Sequence, residues 1–230
     1  GTFLSEVPLV GGLFFKDADK TLVKELKSRG VLYKHLRCQK KRRKRYAGGR
    51  DRRGQIIGRR PISERPNHVE KRRKIGHWEG DTLIGKGHKQ AIVSLVERKS
   101  GYAVLAKVKN KTADLVSNAI IDRLKPLMRK VSTLTYDNGK EFADHASIDH
   151  ALGSISYFAD PYSSWQRGSN ENLNGLIRQY IPKYRLLSTV SDAELAKIEG
   201  LLNNRPRKRL RYKTPHEVFT KSFNPVALRA

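Results

Sequence analysis

Between Lys34 and Lys74 the chain sets 18 Lys or Arg against three acids, Asp51, Glu64 and Glu70. The run Lys40-Lys41-Arg42-Arg43-Lys44-Arg45 is followed by Gly48-Gly49, Gly54, Gly58, Pro61 and Pro66. A stretch of this kind cannot bury enough apolar surface to fold by itself, so it reads as an extended basic arm over residues 34–69. Any sizeable core must then lie downstream, at residues 70–225. Ahead of the arm, residues 1–33 hold a short amphipathic pattern in which Leu22, Val23 and Leu26 share a helical face and Gly30 is a stop. Over its 230 residues the chain has 48 Lys and Arg, 22 Asp and Glu, and a formal charge of +26. A chain so basic is expected to meet a polyanion, with nucleic acid first among candidates. The arm would track phosphates, releasing counterions without selecting sequence. No apolar run approaches the ~20 residues of a membrane span. The single Cys38 rules out an intrachain disulfide, which fits a reducing, cytoplasmic setting.

From Trp78 the texture changes. Trp78–Ile84, Ala91–Glu97 and Tyr102–Val108 read as strands joined by the short turns Gly85-Lys86-Gly87-His88 and Arg98-Lys99-Ser100-Gly101, which predicts an antiparallel meander. Thr112 opens a helical pattern through Leu115, Val116, Ala119, Ile120 and Leu124 that Pro126 stops. Val131–Tyr136 is a fourth strand, Phe142–Leu152 a short helix and Ile155–Ala159 a fifth strand. A polar loop then leads to a helix at Glu171–Tyr180. Ser191 and Glu194 form a capping box for a last helix. The order β-β-β-α-β-α-β-α-α implies an α/β domain of mixed α+β type: a five-stranded mixed sheet flanked by helices, as in ribonuclease-H-like domains.

Three acids stand at telling places. Asp81 lies in the first strand, where alternation puts Glu79, Asp81 and Leu83 on one face. A strand carboxylate among apolar neighbours needs a partner, and a plain salt bridge would serve. Asp137 ends the fourth strand in Tyr136-Asp137-Asn138-Gly139. Asp-Asn-Gly is ordinary turn chemistry, yet strand ends are also where such sheets seat ligands. Glu171 opens a helix whose apolar stripe is Leu173, Leu176, Ile177 and Tyr180, with Glu171, Asn174 and Arg178 opposite; it reads either as a site residue or as a carboxylate favoured by the helix dipole. Taken together, hard oxygen donors without Cys or paired His suit Mg²⁺ or Mn²⁺. Phosphoryl transfer on nucleic acid uses two such ions about 3.5–4 Å apart.

The stretches His77-Trp78-Glu79-Gly80-Asp81-Thr82, Tyr136-Asp137-Asn138-Gly139-Lys140-Glu141-Phe142 and Trp165-Gln166-Arg167-Gly168-Ser169-Asn170-Glu171-Asn172-Leu173-Asn174-Gly175 resemble the DDE transposases of the IS-thirty insertion-sequence family. The 33 residues between Asp137 and Glu171 match that family's spacing. Arg65-Pro66, Asn204-Arg205-Pro206-Arg207-Lys208 and Thr214-Pro215 also look like it, so the resemblance runs from about Arg65 to Phe219. It implies a ribonuclease-H-like integrase core with Asp81, Asp137 and Glu171 as catalytic residues holding two Mg²⁺ or Mn²⁺ ions. It further implies cleavage at transposon ends and transfer of the 3′-hydroxyl into target DNA. Terminal inverted repeats and target duplex would be the partners, with at least a dimer assembled on DNA. Family members carry helix-turn-helix elements upstream, of which Phe15–Leu32 would be a remnant. Arg167 and Arg178 are expected to hold phosphates near the ions. Lys41, Arg42, Arg43, Lys44 and Arg45 of the arm, and Arg207, Lys208 and Arg209 of the tail, are expected to grip flanking duplex.

Two other functions fit parts of the pattern. A noncatalytic DNA-binding module would explain the charge but would not nick DNA. A hybrid-specific ribonuclease would share the sheet and metals, and cleavage of hybrid against duplex substrates separates it. A zinc site is poorly served, since His145 and His150 are five apart and Cys38 is remote. Trp78 and Trp165 are read as packing residues, Trp165 with the alternative of stacking on a base.

Overall fold

The structure is a computed structural model that describes residues 56–221 except 88 and 162. The sequence-based expectations for residues 1–33 and for Lys41–Arg45 lie outside the described residues. The elements follow the expected order. Strands β1 (His77–Ile84), β2 (Ala91–Glu97), β3 (Ala103–Val108), β4 (Thr133–Tyr136) and β5 (Ile155–Phe158) form a single sheet in the spatial order β3-β2-β1-β4-β5. The meander β1-β2-β3 is antiparallel, whereas β1-β4 and β4-β5 are parallel. The five-stranded mixed sheet inferred from the sequence is thus observed.

Helices α1 (Ala113–Leu124), α2 (His145–Leu152), α3 (Gly168–Tyr180), α4 (Asp192–Asn203) and α5 (Pro215–Lys221) cover the two faces. Strand β2 is buried throughout, and its side chains divide by parity. Ala91, Val93 and Leu95 join Trp78, Val116, Ile120, Leu134, Tyr136, Ile148 and Phe219 in one core, under α1, α2 and α5. Ile92 and Val96 join Leu83, Leu105, Leu173, Ile177, Leu195 and Ile198 in the other, under α3 and α4. Each buried aliphatic side chain contributes about 1.5–3 kcal/mol, so the two-residue alternation of β2 supports both layers at once.

Several boundaries differ from the sequence reading for identifiable reasons. Pro126 ends the α-helix at Leu124, but the chain tightens into a 3₁₀ turn over Lys125–Lys130, which needs no donor from the proline. The helix expected from Phe142 begins at His145, after a 3₁₀ turn at Lys140–Phe142, and ends at Gly153 in the left-handed region with φ 62°. The Ser191 hydroxyl accepts from the Glu194 N–H at 3.1 Å and opens α4 as expected. Helix α5 has too few residues to show a period in sequence, yet Phe219 stacks on Tyr102 with ring centroids 4.3 Å apart.

Residues 56–69, read as the end of a free arm, lie against the domain. Val69 and Arg65 are buried, and short 3₁₀ turns span Ile62–Glu64 and Asn67–Val69. The Phe158 N–H donates to the Arg60 carbonyl at 2.9 Å, and Pro61 bridges to Phe158. The segment covers part of the β5 edge, which would otherwise offer unpaired backbone groups. Burial lowers the Arg65 guanidinium to about 10, with Arg98 adding to the effect. Its partners are Thr135 Oγ1 at 2.8 Å and Glu70.

Candidate active site

The parallel pairing of β1 with β4 sets the site. His77, Trp78 and Glu79 face Thr133, Leu134 and Thr135, and continuing that register brings Asp137, just past β4, level with Asp81. Close approach of the strands requires Gly80: a Cβ there would stand 2.6 Å from Tyr136 Cε1. Alternation puts Glu79, Asp81 and Leu83 on the face covered by α3, as the sequence implied.

Asp81 is 21% exposed at its side chain and Asp137 38%. Between them lies the guanidinium of Arg167, itself only 10% exposed. Its Nη1 is 3.4 Å from Asp81 Oδ2 and its Nη2 is 3.5 Å from Asp137 Oδ2. Asp81 Oδ1 also accepts the Thr82 N–H at 2.8 Å, and its Oδ2 accepts from Asn174 Nδ2 at 2.9 Å. Burial pushes the Asp81 carboxyl up, Arg167 pulls it down and Asp137 raises it again. The Thr82 and Asn174 bonds offset part of that rise. Asp137 Oδ1 accepts the Gly139 N–H at 3.0 Å, so the residue does form the turn its neighbours suggest while leaving Oδ2 for the site.

Helix α3 is tied down by polar groups that sequence reasoning passed over. Glu79, fully buried in β1, accepts the Asn170 N–H at 2.9 Å and pairs with Arg98 Nε at 2.9 Å. A carboxylate at an unsatisfied first-turn N–H is favoured by both hydrogen bonding and the helix dipole. The Ser94 hydroxyl reaches Asn170 Oδ1 at 3.3 Å and Asn174 Oδ1 at 2.8 Å. The i, i+4 spacing of the two asparagines and the shared parity of Glu79 with Asp81 were the signals available. Beside the site, Glu141 accepts from Thr82 Oγ1 at 2.9 Å and pairs with Lys111 at 2.6 Å.

The third acid is placed differently. Glu171 is exposed in the first turn of α3, three residues before Asn174, whose side chain bonds Asp81. Among the described residues, no three His, Cys, Asp or Glu side chains converge closely enough to hold one ion. The structure therefore brings Asp81 and Asp137 together around Arg167 and does not bring Glu171 within reach of an ion shared with both. Arg178, expected to meet phosphate, donates to the Ile84 carbonyl at 2.8 Å and to the Ile181 carbonyl at 3.4 Å, joining the end of β1 to the end of α3. In the tail, Arg207 donates to the Leu202 carbonyl and Arg209 to the Lys99 carbonyl, each at 3.1 Å, while Lys208 is exposed. Trp165 is 73% exposed in the turn leading to Arg167, so it is no packing residue.

No protein-family profile matches the chain. It is 45% identical over 195 residues to the transposase of insertion sequence element IS4351 from Bacteroides fragilis, covering 85% of this chain and 60% of that protein. It is 40% identical over 210 residues to transposase InsI of element IS30A from Escherichia coli K12, covering 86% and 54% respectively. The transposase of IS1086 from Cupriavidus metallidurans is 44% identical over 180 residues, which is 77% of this chain and 53% of the relative. The chain thus spans little more than half the length of these relatives. Among solved structures, a chain of the simian T-cell lymphotropic virus intasome superposes with a TM-score of 0.53 at 18% identity, over 68% of this chain and 58% of that one. The likeness extends to the fold, a ribonuclease-H-like five-stranded mixed sheet flanked by helices. No described helix is long and apolar enough to cross a membrane. Over most of its own length this chain is therefore similar in sequence to insertion-sequence transposases, that of IS30A among them.

Proposed function

We propose that this chain is the DNA-cleaving and strand-joining core of an insertion-sequence transposase. The observation that carries the reading is the convergence of Asp81 and Asp137 on one cationic group, from adjacent parallel strands. Two carboxylates that already share a cation, with only oxygen donors presented, fit Mg²⁺ or Mn²⁺. Asp81 and Asp137 would hold the ions, and Glu171, exposed in the first turn of α3, would complete the set by a rotation of its side chain. When bound, the ions supply activation of the attacking oxygen and stabilisation of the leaving one.

The remaining work falls to the chain itself. Asn174 and the Thr82 N–H orient the Asp81 carboxylate, and the Asn138–Gly139 turn orients Asp137. Asn138 Nδ2 donates to the Ala159 carbonyl at 2.6 Å, which keeps the turn from drifting. The Glu79–Asn170 bond fixes the height of α3 over the sheet. Exposed basic residues, Lys208 among them, would hold flanking phosphates without reading bases. DNA bearing the element's terminal inverted repeats and the target duplex would be the substrates. Joining two ends requires at least two copies of the chain.

The test is Mn²⁺-dependent cleavage and strand transfer on a duplex carrying the ends of its own element. Asp81→Asn, Asp137→Asn and Glu171→Gln are expected to abolish both while duplex binding in EDTA is kept. Full strand transfer by any of the three would remove that residue from the site, and full activity of all three would end the reading.

A further inference from the structure

The guanidinium of Arg167 stands where a divalent ion would have to sit. It faces Oδ2 of Asp81, which also accepts from Asn174 Nδ2, and Oδ2 of Asp137, while the Thr82 and Gly139 N–H groups engage the Oδ1 atoms. The pairing is loose. Separations of 3.4 and 3.5 Å exceed the ~2.7–2.9 Å of a charge-assisted hydrogen bond. Nη1 adds a long contact of 3.4 Å to the Gly80 carbonyl, and the buried Nε has no hydrogen-bond partner. An unpaired buried donor is unfavourable, so the docked side chain is held by charge and not by fit. The residue also sits at a joint, since it ends the 3₁₀ turn Ser164–Arg167 and immediately precedes α3.

We propose that Arg167 is a positioning residue that neutralises Asp81 and Asp137 in the metal-free protein and turns out to a substrate phosphate when divalent ions load. The inference rests on the reading of Asp81 and Asp137 as metal-holding residues. Adjacent carboxylates repel each other when nothing lies between them, so the empty pair needs an internal cation to fold quietly. A guanidinium and a divalent ion cannot both occupy the gap between the same oxygens. Once released, Arg167 has lost its carboxylates, and the anion that arrives with DNA is a phosphate, whose geometry suits a guanidinium fork. Two consequences follow. Metal affinity without DNA is reduced by the fraction of time that Arg167 is docked, and DNA restores it by giving the released side chain a partner.

The experiment is Mn²⁺ titration of the 230-residue chain, followed by electron paramagnetic resonance, without DNA and with a short duplex. Arg167→Gln removes the cation and is expected to bind Mn²⁺ about tenfold more tightly than the parent chain without DNA. Arg167→Lys keeps the charge and should stay near the parent. The duplex should tighten Mn²⁺ binding in the parent chain by about tenfold more than in Arg167→Gln. If Asp81-dependent Mn²⁺ binding is present but no tighter in Arg167→Gln, this inference fails and the metal site stands. If the parent chain binds no Mn²⁺ with or without DNA, the metal reading itself fails. A readout on the unmutated chain covers the case in which Arg167→Gln does not fold. Phenylglyoxal modification mapped to Arg167 should rise several-fold with Mn²⁺ and fall again with duplex, and modification indifferent to Mn²⁺ would overturn the exchange.

Discussion

Gly80→Ala tests the close approach on which the site depends. The added methyl would lie 2.6 and 2.8 Å from Tyr136 Cε1 and Cδ1, and 3.2 Å from Leu95 Cδ2. Ordinary contact begins near 3.4 Å, so the ring or the strand must move by most of an ångström. The ring has nowhere to go: Tyr136 is fully buried, stacked on Phe142 at 4.4 Å and tilted against Phe158 at 5.9 Å. Overpacking of this kind costs about 1–3 kcal/mol, and a locked aromatic partner places this case near the upper figure. At roughly 2–4 °C per kcal/mol for a domain of this size, the melting temperature should drop by about 9 °C. Strain relieved by backbone movement would also push β1 from β4, and with it Asp81 from Asp137, so Mn²⁺ binding should weaken alongside stability. Thermal melts followed by circular dichroism, on a cycle of Gly80→Ala, Tyr136→Leu and the double variant, isolate the contact. Tyr136→Leu destabilises alone by removing the stacked ring. The pair should nevertheless recover about 1–2 kcal/mol relative to additivity, as residues in contact do. A Gly80→Ala protein that melts within a degree of the parent, or strictly additive energies, would refute the steric account.

Three further expectations follow from the same geometry. Asp81→Asn removes a carboxyl whose burial outweighs its partners, so the metal-free protein should melt higher than the parent. It should also lose the metal-induced gain, which for the parent at about a hundredfold excess over Kd is ~2.7 kcal/mol, read as about 8 °C in a melt. His77 is lowered from 6.5 to about 4 by burial, with His68, Arg98, Arg65 and Lys74 adding positive charge around it. The unfolded chain therefore binds a proton that the folded one refuses as pH falls from 6.5 towards 4, and urea denaturation should show stability lost across that window by on the order of 2–3 kcal/mol. His77→Gln should flatten that slope. Trp165→Ala, at an exposed position, should leave the melting temperature unchanged yet weaken DNA binding by about 1–3 kcal/mol if the indole stacks on a base, measured by fluorescence anisotropy of a labelled duplex.

What the sequence alone determined is what local periodicity and turn chemistry encode. The meander, the strand and helix order, the place of Asp81 in a strand and of Asp137 at a strand's end, the shared parity of Glu79, Asp81 and Leu83, and the capping box at Ser191 all depend on neighbours a few residues apart. Those short-range rules constrain the backbone directly. Tertiary structure decided everything that joins residues far apart in the chain. Arg167 meets Asp81 and Asp137, Asn170 meets Glu79, and Arg178 donates to the Ile84 carbonyl. Val69, in a segment whose composition reads as a free arm, is buried against the domain. The physical reason is that a charged side chain has many possible partners in a chain of 48 Lys and Arg. Only the packed sheet, by excluding water from a few of those pairings, selects which charge answers which.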